Sequence, residues 1–276
     1  MTITAPETRP GHNGPDVTIT PLTPPVGATM DGLDLSAPDD ATARIIRRAL
    51  ARHLVVFVTG QDLTPRQLRD FTAQFGPVFS HHSDEGVIKD AAVPEVLEMR
   101  KEPDGTRLFG GTAWHADVTF RKPGALYSVL HARVLPPVGG DTGFASTVAS
   151  FAALTPAMQD MLRGLKAVHS YDGPGRPDRE GQTAIHPVVR THPDSGAEGL
   201  YFNRMFGVRF EGMTEYESKP LIDFLDHHMT RPEFTCRLRW QPGMVAIWDN
   251  RFTLHYPIND FTGHLRSLIR CTAMDT

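Results

Sequence analysis

The sequence predicts a mainly β fold with flanking helices. Strand-type segments crowd its second half, and the segments between and before them read as helices. They do not alternate as βαβ units, and neither GxGxxG nor GxxxxGK[ST] occurs, which argues against a nucleotide-binding doubly wound sheet. The 276 residues, 40% apolar and 22% charged, suffice for one large domain, and a β-sandwich or barrel core with peripheral helices fits best.

Residues 1–16 hold Pro6, Pro10, Pro15, Gly11 and Gly14 and read as a flexible tail; 17–276 reads as a single domain. Asp39-Asp40 precede a helical pattern with Ile45, Ile46, Ala49 and Leu50 on one face. LVVFVTG is a short buried strand. Thr64-Pro65 opens a second helix with Leu68, Phe71 and Phe75 inward and Gly76 as its stop. Thr155-Pro156 opens a third, with Met158, Met161, Leu162 and Leu165 inward. Thr214 and Glu217 make a capping box before LIDFLDHHM, and Pro220 is a potential kink. Strands are expected at 125–135, 199–204, 234–240, 244–249 and 265–274.

Composition excludes several function classes. A net charge of −4 lacks the basic excess of a nucleic-acid binder. No apolar run approaches the roughly 20 residues of a membrane span, and the N-terminus has no secretory pattern, so a cytoplasmic location is expected. Cys236 and Cys271 are too few for a disulfide scaffold or a thiolate zinc site, and Cys271 reads as a buried small residue. Thirteen histidines raise the expectation of metal chemistry.

In WHADVTF (114–120), His115 and Asp117 lie two apart in β-type sequence, so both side chains face one way and can reach one metal. An HxD pair alone is a common coincidence. The strand MVAIWD ends in a polar turn that delivers His255, 140 residues later. Two histidines and one aspartate form a facial triad, which leaves open positions on an octahedral metal and marks non-haem Fe(II) oxygenases. In LRSLIRC, Arg266, Leu268 and Arg270 share a strand face. Two arginines aimed into a barrel are costly unless each meets an anion, and guanidinium pairs bidentately with carboxylate, sulfonate or phosphate. Arg270 has the alternative of pairing with an internal acid.

Over residues 17–276 the chain resembles the taurine dioxygenase (TauD/TfdA) superfamily of Fe(II)/2-oxoglutarate-dependent dioxygenases. The resemblance is carried by WHADVTF, VGGDTGF (138–144), HPVVRTHP (186–193), WQPGMVAIWDNRFTLHY and RSLIR. GGDTGFAS, AALTPAMQ, GLKAVHS, GLYFNRMF, EGMTEYESKPLIDFL and FTCRLRW look nearer to the aryloxyalkanoate (dichlorprop-type) members, whereas 79–113 departs from both groups. The resemblance implies a double-stranded β-helix, or jelly roll. It implies iron ligation by His115, Asp117 and His255, and 2-oxoglutarate binding by Thr142 and Arg266. Arg270 would face the anionic group of the primary substrate, with His81 (or its neighbour His82) and Phe206 in the same pocket. Asp117 favours hydroxylation, because related halogenases carry a small residue there. The implied reaction consumes O2 and 2-oxoglutarate, releases succinate and CO2, and breaks a C–O or C–S bond where the attacked carbon carries one. The substrate is a small anionic organic molecule; no nucleic acid or membrane is expected, and the resemblance implies a homo-oligomer. Two alternatives stand: a non-catalytic anion-binding jelly-roll protein, and a zinc hydrolase, for which no general-base Glu is evident beside the ligands. The polar stretch 171–184 reads as a lid or a simple insertion.

Overall fold

The computed structural model describes residues 17–37, 39–80, 88–90, 92–105, 113–171 and 181–276. Its largest sheet has eight strands. In spatial order they are Thr18–Pro21, Ala28–Asp31, Val55–Val58, Val245–Asp249, Ala125–Val134, Arg266–Met274, Val93–Lys101 and Ile88–Asp90. Neighbours are antiparallel except Ala28–Asp31 and Val55–Val58. That parallel pair needs a crossover, which the helix Asp40–His53 supplies.

Both faces of this sheet are covered, which is why VVFV reads as an unbroken apolar run. Alternate residues point to opposite layers. Val56, Val58, Val129, Val245, Ile247 and Ile269 pack under Asp40–His53 and Pro65–Ala73, against Ile46, Leu50, Leu68 and Phe71. Val55, Phe57, Leu130, Ala246, Trp248 and Leu268 face the other way, onto Phe144, Cys236 and Leu238. The latter three belong to a second, three-stranded antiparallel sheet: Thr235–Leu238, Thr142–Ser146 and Thr253–Pro257. Behind it lies a third apolar layer. There Ala145 and Leu254 meet Phe151, Leu162, Leu225 and Met229 from the helices Thr147–Ala152, Pro156–Arg163 and Glu215–Met229. A further sheet, Gly207–Phe210, Lys166–Ser170 and Thr183–Pro187, and the hairpin Val189–Thr191 with Glu198–Leu200 flank that layer.

The helix starts follow the expected capping chemistry. Asp39 accepts from the Thr42 amide at 2.6 Å. Thr64 with Gln67, and Thr214 with Glu217, form reciprocal capping boxes. Four expectations need correction. The second helix stops at Ala73 with Gln74 as its cap, before Gly76. Met161 is exposed, because Leu162 takes the inward position of that short helix. The helix Glu215–Met229 is one element across Pro220. GLYFNR is extended only as far as Leu200, because its later residues turn to pack beside the site described next.

Candidate active site

Polar side chains enter the space between the large sheet and the three-stranded sheet from both sides. His255 sits in Thr253–Pro257, paired to Phe144 of the adjacent strand. His115 joins it by a two-way backbone bridge, with His115 N donating to His255 O at 3.0 Å and His255 N to His115 O at 2.8 Å. The chain then leaves the sheet. Asp117–Phe120 is a turn rather than the expected strand continuation, and Val118 has φ 54°. A β-branched residue avoids that left-handed region. Here tertiary contacts override its preference: the Asp117 amide donates to Asn250 Oδ1 at 3.0 Å, and Val118 itself is buried. The two side chains do come together, but across a turn and not on one face of a strand as the i, i+2 spacing predicts.

The ligating atoms of His115, Asp117 and His255 lie within 4.8 Å of one another, and all three residues are buried. Asp117 Oδ1 is 3.9 Å from His115 Nε2 and 4.0 Å from His255 Nε2. His115 Nδ1 is 3.0 Å from the Ala113 carbonyl, which makes Nδ1 the donor and leaves the Nε2 lone pair directed at the cluster. Burial pushes both imidazoles below their usual value, His255 down to about 3, so both are neutral at pH 7, the form that binds metal. Burial alone would raise the Asp117 carboxyl. The Arg270 guanidinium, with Nη1 3.0 Å from Oδ1, overrides that and holds the group below the ordinary carboxylate range. An ionised carboxylate beside two neutral imidazoles is a donor set that suits a divalent first-row metal.

Three uncharged residues aim Asp117. Ser128 Oγ donates to Oδ2 at 2.7 Å. Asn250 Nδ2 donates to Ser128 Oγ at 3.0 Å, while Asn250 Oδ1 also accepts from Trp248 Nε1 at 2.9 Å. The sequence reading missed Ser128, Asn250 and Trp240. Asn250 and Trp240 lie inside WQPGMVAIWDNRFTLHY, a motif noted without assigning roles; Ser128 carries no signal in an ordinary strand.

Arg266 projects from the large sheet towards the motif VGGDTGF. It is buried and its Nη2 donates to the Gly140 carbonyl at 3.0 Å, but among the described residues no acid lies in contact with it. The nearby Asp141 is instead bound by Arg237 at 2.7 Å. Burial pushes the Arg266 guanidinium down to about 10, and its Nε is buried without a hydrogen-bond partner. Gly140 makes this approach possible: its φ is +74°, and a Cβ there would stand 3.0 Å from Arg266 Nε. Thr142 is buried nearby. Its Oγ1 accepts from Trp240 Nε1 at 3.0 Å, which leaves the hydroxyl proton to donate elsewhere.

Arg270 shares the strand face of Arg266, as the even spacing requires, and takes the alternative left open for it, an ion pair with the internal Asp117. Phe206 stands edge-on to His115, ring centres 6.4 Å apart, and packs on Phe120 and Tyr171. His81, His82 and residues 172–180 lie outside the described residues. The thiols of Cys236 and Cys271 are buried and pushed up to about 12, so neither is a nucleophile at neutral pH. Among the described residues no helix is long and apolar enough to cross a membrane.

A buried triad of two neutral imidazoles and a carboxylate, beside a buried arginine with no acid partner among the described residues, is a donor set that suits a non-haem Fe(II) centre with an anion-binding group next to it. Comparison with known proteins agrees. Residues 18–272 match the Taurine catabolism dioxygenase TauD, TfdA family. The alpha-ketoglutarate-dependent sulfate ester dioxygenase of Pseudomonas putida is 34% identical over 93% of this chain and 89% of its own length. The alpha-ketoglutarate-dependent 2,4-dichlorophenoxyacetate dioxygenase of Cupriavidus pinatubonensis is 29% identical over 94% and 98%. The crystal structure of a taurine dioxygenase from Burkholderia xenovorans superimposes with a TM-score of 0.83 at 34% identity, over 95% of this chain and 90% of that one. The chain belongs to the TauD/TfdA family. It is an Fe(II)- and 2-oxoglutarate-dependent dioxygenase, with O2 as the second co-substrate.

Proposed function

We propose that this dioxygenase hydroxylates a small anionic organic molecule while 2-oxoglutarate is consumed to succinate and CO2. The observation that carries the reading is Arg266, buried beside the triad with no acid partner among the described residues and a partnerless Nε. A desolvated guanidinium needs an anion, which the co-substrate would supply; Arg270, on the same strand face, is paired with Asp117 but keeps a buried Nε without a partner, which leaves it a donor for a substrate anion. His115, Asp117 and His255 would hold the Fe(II), which supplies O2 activation when bound. Arg266 and the Thr142 hydroxyl would hold the distal carboxylate of 2-oxoglutarate, and the Trp240 indole keeps that hydroxyl a donor. Arg270 would face the substrate anion while it keeps Asp117 ionised. Phe206, with Phe120 and Tyr171, forms an apolar wall that excludes water beside His115. His81 is proposed as a further substrate contact on the family resemblance. The two facing, mostly antiparallel sheets are read as a double-stranded β-helix core in a single domain over 17–276.

The printed activities of the relatives, on sulfate esters and on 2,4-dichlorophenoxyacetate, define the substrate classes to try first. With such substrates hydroxylation next to the ester or ether oxygen leads to C–O cleavage.

The test begins with an anaerobic titration of iron-loaded protein with 2-oxoglutarate. A weak visible charge-transfer band is expected; iron uptake without a band overturns the reading. Alkyl sulfates, sulfonates and aryloxyalkanoates are then compared by succinate release. Arg270→Ala is expected to raise KM for the substrate far more than for 2-oxoglutarate. A lost charge-assisted pair costs on the order of 2–5 kcal/mol, so the effect should be large. The opposite split would exchange the roles of the two arginines.

A further inference from the structure

HPVVRTHP marks the family but contributes nothing to the triad. Its first residue, His186, nevertheless reaches the loop that bears Asp117. The strand Thr183–Pro187 alternates exposed and buried positions, which turns Ala184 and His186 inward. His186 Nε2 lies 2.9 Å from the Thr119 carbonyl and 3.1 Å from the Arg121 carbonyl. Both partners are acceptors, so Nε2 carries the proton and shares it between them. The same loop is held at the Thr119 hydroxyl, which is 2.9 Å from His169 Nδ1 and accepts from Asn203 Nδ2 at 3.1 Å. Asn203 Oδ1 in turn accepts from the amide of Phe206, the aromatic beside His115.

The loop needs such restraint. Its first residue is the carboxylate of the triad, and its second is a valine in the left-handed region, a conformation that persists only where surroundings impose it. Within the loop one backbone bond closes the turn, Arg121 N to Val118 O at 3.3 Å. The remaining ties come from side chains of other elements.

We propose that His186 is a positioning residue for metal binding: through the shared Nε2–H it fixes the Asp117–Arg121 turn and so sets where the Asp117 carboxylate stands relative to His115 and His255. The inference rests on the reading of those three residues as the metal ligands. His186 touches none of them and is outside the catalytic machinery.

The test compares His186→Gln with His186→Asn. The Gln amide nitrogen reaches the position of Nε2 and keeps the donor, whereas the Asn amide stops at the position of Nδ1. Mn(II) is the probe, its dissociation constant read from the free-ion EPR signal, with Tm of the metal-free proteins measured alongside. The Asn variant is expected to bind Mn(II) about tenfold or more weaker than wild type and the Gln variant within about threefold, at similar Tm, in line with other residues that orient metal ligands. Should the Asn variant not fold, His186→Met fills the space without a donor and takes its place. Equal Mn(II) affinity in the donor-keeping and donor-lacking variants overturns the proposal, whether both match wild type or both are weakened. A wild-type chain that takes up no Mn(II) overturns the metal reading itself and this inference with it.

Discussion

Gly140 is the smallest residue at the site and one of the most constrained. Its positive φ and its carbonyl bond to Arg266 leave no room for a side chain against that guanidinium. Gly140→Ala is expected to weaken 2-oxoglutarate binding about tenfold while Mn(II) binding without the co-substrate stays near wild type, since a desolvated charged contact is worth on the order of 2–5 kcal/mol and this change misaligns it only partly. Isothermal titration of both ligands checks it, and equal losses for both would show a general collapse. His115, Asp117, His255, Thr142, Arg266 and Arg270 stood out in the sequence as candidates because their side chains do chemistry that few others do and because they fall in ordered motifs. Spacing alone did not say that His115 meets His255; the family resemblance did. Ser128 and Trp240 were illegible for the opposite reason. A serine in an apolar strand or a buried tryptophan just past a strand end has many ordinary roles, and only the hydrogen bonds to Asp117 and Thr142 single these out.

Among the elements, those governed by local rules were read best. Thr64 and Thr214 cap as expected, because a capping box is written within four residues. The turn at Asp117 was misread for the complementary reason. Val118, Thr119 and Phe120 are good strand residues, and what bends them is Asn250, over a hundred positions away. The caps also permit a clean test of stability apart from activity. Thr214→Ala is expected to lower stability by about 1 kcal/mol with succinate formation unchanged, because the capped helix Glu215–Met229 packs behind the three-stranded sheet, away from the arginines. Denaturant unfolding measures the first and coupled turnover the second.

Across the whole molecule, the buried histidines tie folding to pH. His131, His169, His186 and His192 all lie below their ordinary value because burial disfavours the charged ring, and His169 is pushed down to about 3. For His169 the folded value is below the unfolded one, near 6.5. The unfolded chain therefore takes up a proton first as pH falls. The stability this group contributes is complete above about pH 6.5 and is lost progressively down to about pH 3, at no more than about 1.4 kcal/mol per pH unit. Metal-free protein should show a Tm that is level above neutrality and falls below it. In His169→Asn, which keeps a hydrogen-bonding group near Nδ1 and removes the titrating ring, the fall between pH 6.5 and 4 should be shallower; an unchanged slope would assign the pH dependence to other groups.

The strand Arg266–Met274 lies third from one edge of the eight-stranded sheet, between Ala125–Val134 and Val93–Lys101, and carries both arginines. The ribosome makes it after every other strand of that sheet. Until it emerges, Ala125–Val134 and Val93–Lys101 each wait with an unpaired side, and Arg266 and Arg270 do not yet exist. Structural closure and the two arginines beside the triad thus arrive together. A nascent chain stalled before Arg266 would lack both guanidinium groups and be open to sticking to its neighbours.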